Sequence, residues 1–492
     1  MEEEYKSVPQ KKFDLASYGT VVGFLCFEVL AFVSFYLGQS FMLYGILSIV
    51  LTILLILIVA KQIKKEGLAT YSFFLFPIFV FGLLTLLSKF NDQVNGESGL
   101  HLELIDLIFV PITLLFMSAA GFFTAYLKRF SIKTMMMVIY IALGAYVLIN
   151  LFITMIYYVP FYTLIYSDSK IFYDGSPSPV PIGKMGYMLF GFKILEVSIE
   201  YWLLFPSLLM TAVIALFFIS PKKETRAFII YAILSFIAFI SLLFTISKFS
   251  LLTGFILACG IAIIVVAGKM QKSHQLLNGI FIGVGSLALI SLIVIFLISQ
   301  TSWSFVSPLR SLISGNSLLN RLFIGNRYAS GMTSILENLF TGDKIFGFPV
   351  ELFVYGTTYH LSNIWFIDVF AYSGLFGALF LFFALVIGIR RLFKYFVISK
   401  DEHYAKLLIL GYVLGYFVMS TLLLDVTPMI YYDATIFPFF IFAPFLVCLY
   451  LMSYCFNKSL LEKEPKIVEQ KETVEKDKIE IKESDSDEII SL

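Results

Sequence analysis

Charged side chains are scarce in this chain of 492 residues. They account for 14% of it, against roughly 25% in an average soluble domain, whereas hydrophobic residues account for 59%, against roughly 45–50%. A soluble fold could not bury that much apolar surface, but a lipid bilayer can surround it. Lys and Arg together number 35 and Asp and Glu 34, so the chain lacks the net positive charge typical of nucleic-acid-binding proteins.

The signatures of several chemistries are also missing. The chain has no P-loop, no His-Glu-x-x-His and no complete Gly-x-Gly-x-x-Gly, which argues against ATP-driven transport by this chain alone. Carboxylates and histidines do not cluster at metal-ligand spacing, so we expect neither a metal nor another cofactor. The four cysteines lie in apolar runs without disulfide or metal spacing, at Cys26, Cys259, Cys448 and Cys455.

Long apolar runs are what the sequence has in abundance. A helix needs roughly 17–25 apolar residues to cross the hydrocarbon core of a bilayer. Runs of that length lie near 17–37, 40–60, 69–88, 102–127, 134–157, 203–219, 227–246, 250–267, 277–299, 363–388, 406–424 and 434–455. The sequence therefore predicts an all-α, polytopic integral membrane protein with about twelve transmembrane helices, its membrane domain extending over 17–456.

Basic residues gather in every second connection between these runs. They are Lys61, Lys64 and Lys65; Lys128, Arg129 and Lys133; Lys222, Lys223 and Arg226; Lys269 and Lys272; and Arg390, Arg391 and Lys394. Short cytoplasmic connections carry an excess of Lys and Arg. We therefore expect a multi-pass protein of the cytoplasmic membrane with a cytoplasmic N-terminus, 1–16, and a cytoplasmic C-terminus.

Three segments outside the spans are long. Two of them, about 159–201 and 300–362, lie on the outer side in this topology, and long loops on one face usually carry function. The third is the tail, 457–492, which mixes Glu, Lys, Asp and Ser without an aromatic residue. Such a composition cannot bury enough apolar surface to fold, so we interpret it as a disordered cytoplasmic tail.

Four polar residues lie at the outer membrane level in this topology: Lys248, Arg321, Arg327 and His360. Three cations facing a lipid leaflet suit an anionic lipid headgroup, because Arg binds phosphate through its planar fork and Lys acts as a point charge. A neutral His360 can accept a proton from an attacking hydroxyl near pH 7. Each residue also has a simpler interpretation: solvated loop arginines, a lysine that snorkels from a helix end, and an interfacial His360 beside Trp365.

Several short sequence motifs occur in and before this region, in an order that resembles a known protein family. They are Leu243-Phe-Thr-Ile-Ser-Lys-Phe-Ser250, Arg327-Tyr-Ala-Ser-Gly-Met-Thr-Ser-Ile-Leu-Glu-Asn-Leu-Phe, Ile345-Phe346-Gly347-Phe348, His360-Leu-Ser-Asn363 and Tyr372-Ser373-Gly374-Leu375-Phe376-Gly377. Together they resemble the O-antigen polymerase and O-antigen ligase family of bacterial surface polysaccharide synthesis. The resemblance covers residues 243 to 388 in detail and the whole chain in topology.

The resemblance implies an enzyme, since family members transfer a glycan from a polyprenyl diphosphate carrier to an acceptor glycan on the outer face of the membrane. It implies that Lys248, Arg321 and Arg327 bind the diphosphate, and that Arg327 and His360 are catalytic, with His360 activating or orienting the acceptor hydroxyl. Polysaccharide assembly proteins are possible partners. Lys248 stands where the family usually has Arg. Two residues separate His360 from Asn363, where ligases commonly have them adjacent, which favours a polymerase.

Two other functions remain open. One is a flippase for lipid-linked oligosaccharides or another transporter, which should place cations in a cavity across the bilayer. The main charged residues within the spans are acidic, at Glu28, Asp106 and Asp368, which favours the enzyme. The other is a non-catalytic assembly partner that acts through its tail.

Overall fold

The computed structural model describes the greater part of the membrane domain. The described residues are 41–63, 65–94, 104–127, 131–157, 170–172, 179–181, 185–189, 192–197, 199–244, 248–269, 365–399, 401–422 and 439–462, with the isolated positions 19, 279, 307–308 and 311. The predicted spans 17–37 and 277–299, both termini and most of the segment 300–362 lie outside these ranges.

Helices make up most of the described chain. The first four are α1 (Phe41–Val59), α2 (Lys65–Val94), α3 (Leu104–Thr124) and α4 (Ile132–Tyr157), and a 3-10 turn, Ala60–Gln62, follows α1. Next come α5 (Ile199–Met210), α6 (Val213–Leu216), α7 (Thr225–Phe244) and α8 (Lys248–Lys269). The last three are α9 (Trp365–Ile398), α10 (His403–Leu422) and α11 (Phe439–Leu461).

Among the described residues, 5 helices are long and apolar enough to cross a membrane. Their apolar parts are Gly45–Gln62, Gly67–Leu87, Thr225–Leu242, Ser373–Ile398 and Pro444–Leu461. Five further apolar helices are shorter: Pro111–Thr124, Ile132–Leu148, Leu204–Leu216, Leu257–Lys269 and His403–Met419. The helical character expected from the sequence is thus confirmed, and the count of twelve stays a prediction.

The segment 159–201, expected as a loop, contains two short antiparallel strand pairs. In the first, β1 (Lys170–Phe172) pairs with β2 (Pro179–Pro181), with Ile171 opposite Val180. In the second, β3 (Met185–Leu189) pairs with β4 (Phe192–Val197) across a two-residue link that includes Gly191, and the register shifts between Met185 and Tyr187. Short links with glycine favour such hairpins. These strands are 3 to 6 residues long, so the described chain remains predominantly helical, in agreement with the all-α class.

The helices pack in two groups. One consists of α1, α2, α3, α9 and α11, and the other of α4, α5, α6, α7, α8 and α10; they meet where α10 packs on α9 and α11. Helix α11 lies at the centre of the fold, since 83% of its apolar part is buried against 28% for α2. A helix that is apolar all round suits such a position.

The outward faces of the other helices are strongly apolar. Leu57, Phe73 and Phe236 are 71%, 70% and 64% exposed, and many more large apolar side chains share this exposure. A soluble monomer rarely exposes contiguous apolar surface of this extent. These faces fit a surrounding lipid phase, and the chain is therefore a helical membrane protein.

Two predicted spans differ from the observed helices. The span 203–219 is interrupted at Thr211 and Ala212, where the backbone changes to 3-10 hydrogen bonds, for example from Thr211 N to Leu208 O over 3.2 Å. The span 363–388 is shifted, because the part able to cross a membrane is Ser373–Ile398. Arg390, Arg391 and Lys394 consequently lie within α9 rather than in a connection, and the Arg391 guanidinium lies 4.7 Å from the centre of the Phe456 ring.

The basic connections meet at one end of the fold, here named the charged end. Ion pairs of Lys133 join the starts of α4, α7 and α10 there. A hydrogen bond of 3.4 Å from Ser399 to Glu462 joins the ends of α9 and α11. His403 Nε2 lies 2.8 Å from the Gly268 carbonyl oxygen, so α8 ends there as well. The described parts of these connections thus lie at one end of the fold, and the side of the membrane that this end faces stays a prediction.

Candidate functional site

Of the four predicted site residues, the structure describes the backbone of Lys248 alone. Arg321, Arg327 and His360 lie outside the described residues. Lys248 is the first residue of α8, whose other end reaches the charged end. At about 1.5 Å per residue, the 22 residues of α8 place Lys248 roughly 31 Å from that end. Lys248 therefore lies at the opposite end of the fold, here named the far end.

The chain near the paired glycines Gly374 and Gly377 reverses direction. Gly374 has φ 67° and ψ −174°, a conformation that is essentially restricted to glycine. The rings of Phe370 and Phe382 are 5.7 Å apart, although twelve residues of straight helix would separate them by about 18 Å. Residues 365–373 thus form a short half-helix that folds back onto the rest of α9.

Gly377 makes this reversal possible. A Cβ at Gly377 would lie 2.4 Å from Ser373 Cβ and 3.4 Å from Leu84 Cβ, so the position has room only for glycine. The Ser373 hydroxyl donates to the Val369 carbonyl over 2.9 Å and closes the half-helix. Since Ile398 lies at the charged end, the spanning part of α9 begins at the far end. The paired-glycine phrase and Lys248 therefore lie at the same end of the fold.

The charged end holds an ion-pair cluster centred on Lys133. Its ammonium pairs with Glu224 and, at 3.4 Å, with Glu402, and it lies 5.4 Å from the centre of the Tyr404 ring. The Tyr404 hydroxyl donates to Glu224 over 3.3 Å. Glu224 directly precedes α7, and Glu402 directly precedes α10. A negative charge is favourable at the start of a helix. The cluster therefore joins the starts of α4, α7 and α10.

A second group at the charged end surrounds Asp401. Its carboxylate accepts hydrogen bonds from Tyr395 at 2.7 Å and from Ser399 at 3.0 Å. The Lys406 ammonium donates to the Ser399 carbonyl over 2.6 Å, and Lys458 pairs with Glu462 at 3.7 Å. These contacts satisfy the exposed helix ends and hold α9, α10 and α11 together.

Buried hydroxyls lie beneath the Lys133 cluster, inside the second helix group. Tyr140 and Thr211 are within hydrogen-bond distance of one another, at 2.6 Å, and Tyr140 also reaches the Leu408 carbonyl at 3.5 Å. Tyr231 packs edge-on against Tyr140 with ring centres 6.0 Å apart, and Ser207 lies one turn before Thr211 on α5. Tyr231, Tyr140, Thr211 and Ser207 are here named the hydroxyl row.

The sequence-based reasoning did not single out the hydroxyl row, although a signal for it exists. Tyr140 follows Lys133 by seven residues, and Tyr231 follows Glu224 by the same interval. Seven residues are nearly two helical turns, so each tyrosine lies on the same helix face as the charged residue before it. Tyrosines are common in apolar spans, so only the packing of α4 against α7 showed that the two faces meet.

Nothing among the described residues resembles a metal centre, since no group of three or more His, Cys, Asp or Glu side chains could hold an ion. Comparison of the chain with protein-family models, with curated proteins and with solved structures gives no match.

Proposed function

We propose that the chain is a membrane-embedded glycosyltransferase that polymerises glycan repeat units on the outer face of the cytoplasmic membrane, taking them from a polyprenyl diphosphate carrier. The observation that carries the proposal is the common position of Lys248 and of the phrase 373–377. Both belong to the resemblance, they are distant in sequence, and both lie at the far end of the fold. The resemblance adds Arg321, Arg327 and His360, which belong to the outer segment 300–362 of the proposed topology.

The chemistry follows from the charge of the leaving group. The acceptor hydroxyl oxygen attacks the anomeric carbon of the carrier-linked sugar, the bond to the diphosphate breaks, and the polyprenyl diphosphate leaves with the bonding electrons. Lys248, Arg321 and Arg327 bind the diphosphate and stabilise its developing charge, which is often the largest contribution to catalysis. His360 accepts the proton of the acceptor hydroxyl. Because these cations supply the positive charge, the step needs no metal.

The finer topology belongs to this proposal. We propose about twelve spans, with the charged end, both termini and the tail beyond Leu461 in the cytoplasm and the far end outside, because Lys and Arg concentrate in cytoplasmic connections. The tail begins later than the expected residue 457, since α11 extends to Leu461 and Asn457 is buried. The segments 159–201 and 300–362 are then the outer loops. The two-residue separation of His360 and Asn363 favours a polymerase over a ligase.

Transport of a lipid-linked oligosaccharide is the second candidate, and one observation favours it. The break between α5 and α6 lies among buried hydroxyls in the interior of a helix group, and interrupted helices often build the binding sites of transporters. A transporter moves its substrate without joining repeat units. Formation of polymer by the purified protein would therefore separate the two functions.

The first prediction concerns orientation. In a chain without native cysteines, we expect Lys344→Cys to react with a membrane-impermeant thiol reagent in intact cells, and Lys223→Cys to react only after the membrane is opened. The reason is that residue 223 lies in a basic connection at the charged end, whereas 344 lies in the outer segment. Labelling of residue 223 but not of 344 in intact cells would invert the topology and exclude an outer site.

The second prediction tests the function through Lys248. We expect purified protein in liposomes to form polymer from a polyprenyl-diphosphate-linked repeat unit, and Lys248→Ala to reduce the rate by about 10²–10³, because a charge that stabilises the leaving group is lost. Lys248→Arg should remain active because the charge is kept. The matched control is Lys269→Ala at the other end of α8, which should behave as wild type.

Two results would contradict this proposal. Wild-type protein that forms no polymer from any lipid-linked repeat unit would favour transport or a non-catalytic role. Activity that disappears with a chelator and returns with a divalent ion would refute the metal-free mechanism.

A further inference from the structure

The interior of the second helix group contains polar atoms that have no partner among the described residues. The hydroxyls of Tyr231 and Ser207 are buried, and within the part of the chain that the structure describes neither makes a hydrogen bond. Leaving a buried hydroxyl unpaired costs about 1–3 kcal/mol, so such groups usually bind water. The hydroxyl row therefore has hydrogen-bonding capacity that the protein itself does not use.

The row leads from the charged end towards the break between α5 and α6. Tyr231 lies on α7, nearly two turns after Glu224, and its ring packs edge-on against that of Tyr140 with the ring centres 6.0 Å apart. Tyr140 continues the row to Thr211, whose hydroxyl donates to the Leu208 carbonyl over 2.5 Å at the helix break. Polar groups thus succeed one another from the surface to the interior.

The Lys133 cluster closes this row at the surface. Lys133, Glu224 and Glu402 keep 25%, 31% and 51% of their side-chain surface exposed, while Tyr231 directly beneath is 1% exposed. The ion pairs connect the starts of α4, α7 and α10. These three helices surround the end of the row that is nearest to the charged end. Surface ion pairs are weak, typically about 0–1 kcal/mol each, so they can open and close readily.

We propose that Lys133, Glu224 and Glu402 form an ionic gate, and that its opening admits water from the charged end to the hydroxyl row. The gate separates the starts of α4, α7 and α10, and water then binds to Tyr231, Tyr140, Thr211 and Ser207. The 3-10 segment at Thr211 allows this movement, since its hydrogen bonds are poorer than those of an α-helix. Gly411 and Gly415 on α10 lie close against this segment. A side chain at Gly411 would meet Ile214, and one at Gly415 would meet Thr211.

The ionic gate does not rest on glycosyl transfer. The gate lies at the charged end, whereas the proposed diphosphate site lies at the far end. A gate of this kind suits an enzyme whose helices move, and it suits a transporter equally. A failure of one proposal leaves the other intact, because the experiment below measures water access and no transfer of sugar.

Thiol accessibility tests the gate. In protein reconstituted into nanodiscs, with the four native cysteines replaced by alanine, Ser207→Cys reports water access to the row through its reaction with a small charged thiosulfonate. We expect Lys133→Met to raise that reaction rate about tenfold, which corresponds to a decrease of ~1.4 kcal/mol in the free energy of opening. Lys133→Arg keeps both ion pairs and should leave the rate unchanged.

The matched control is Ser118→Cys on α3, in the first helix group. Ser118 is as buried as Ser207, and its hydroxyl also lacks a hydrogen-bond partner in the part of the chain that the structure describes. Its rate should not respond to Lys133→Met, because the cluster does not cover it. If Lys133→Met does not fold, Glu402→Gln removes only the pair of 3.4 Å and should raise the rate at residue 207 several-fold.

Two outcomes overturn the proposal. One is an unchanged rate at residue 207 in a folded gate variant, which shows that the cluster does not control access. The other is an equal rise at residues 207 and 118, which shows a general loosening of the fold instead of a gate.

Discussion

We expect Arg327→Ala and His360→Ala each to abolish elongation of the glycan while the protein remains folded in the membrane. Loss of a cation that stabilises developing charge in a partly dry site lowers the rate by about 10²–10³. Loss of a general base lowers it by about 10²–10⁴. The measurement is polymer length on a gel after each variant is expressed in a strain that lacks the native gene. Arg321→Ala is expected to weaken binding of the carrier, because the resemblance assigns Arg321 to the diphosphate.

Matched controls come from the same side of the membrane. Arg310 lies in the outer segment 300–362, and His101 lies in another outer connection of the proposed topology; neither belongs to the phrases of the resemblance. Arg310→Ala and His101→Ala should give polymers of normal length. Wild-type chain lengths from Arg327→Ala or His360→Ala, with normal amounts of protein in the membrane, would eliminate the proposed site.

We expect Gly121→Leu to prevent the protein from reaching its folded state. A Cβ at Gly121 would lie only 2.1 Å from the Tyr450 carbonyl oxygen, which is backbone and cannot rotate away. The side chain would force α3 away from the central helix α11 and break two hydrogen bonds: the one of 2.7 Å from Asn457 to the Phe122 carbonyl, and the one of 2.8 Å from Tyr450 to Thr124. Overpacking of this kind costs about 1–3 kcal/mol or more, before the lost bonds are counted.

Gly260→Leu is the control for this substitution. Gly260 lies within α8, and a Cβ there would meet no atom of the described residues within 4 Å. Leucine is also a better helix former than glycine by up to about 1 kcal/mol, so this variant should match or exceed wild type in stability. Size-exclusion chromatography in detergent before and after heating measures both variants. A monodisperse Gly121→Leu that melts with the wild type would show that α3 and α11 do not meet as described.

The half-helix 365–373 shows why sequence reasoning misplaced one span. An apolar run beginning at 363 looks like the start of a spanning helix, because hydropathy measures composition and not direction. The reversal depends on Gly374 with its positive φ and on the contact of Ser373 with Gly377. A glycine within an apolar run is compatible with a straight helix or with a break, and only the neighbouring Leu84 and Phe382 decide between them.

The break between α5 and α6 has a similar origin. Pro206, Thr211 and the short run around them do not by themselves end a helix in a membrane, where proline is tolerated. Thr211 lies within hydrogen-bond distance of Tyr140 on another helix, and Gly411 and Gly415 allow α10 to approach the segment closely. These partners are distant in sequence, so no local pattern could have indicated them.

The sequence by itself determined that this is a helical membrane protein with its basic connections on one face. Apolar runs and the distribution of Lys and Arg express the interaction of single helices with lipid and with charge, and that interaction needs no partner helix. The tertiary structure decided which helix is central, where α5 and α9 break, and that Lys133, Glu224 and Glu402 meet above a buried row of hydroxyls. Such features depend on which helix faces come together, and in lipid that choice rests on close packing and polar contacts, which hydropathy does not record.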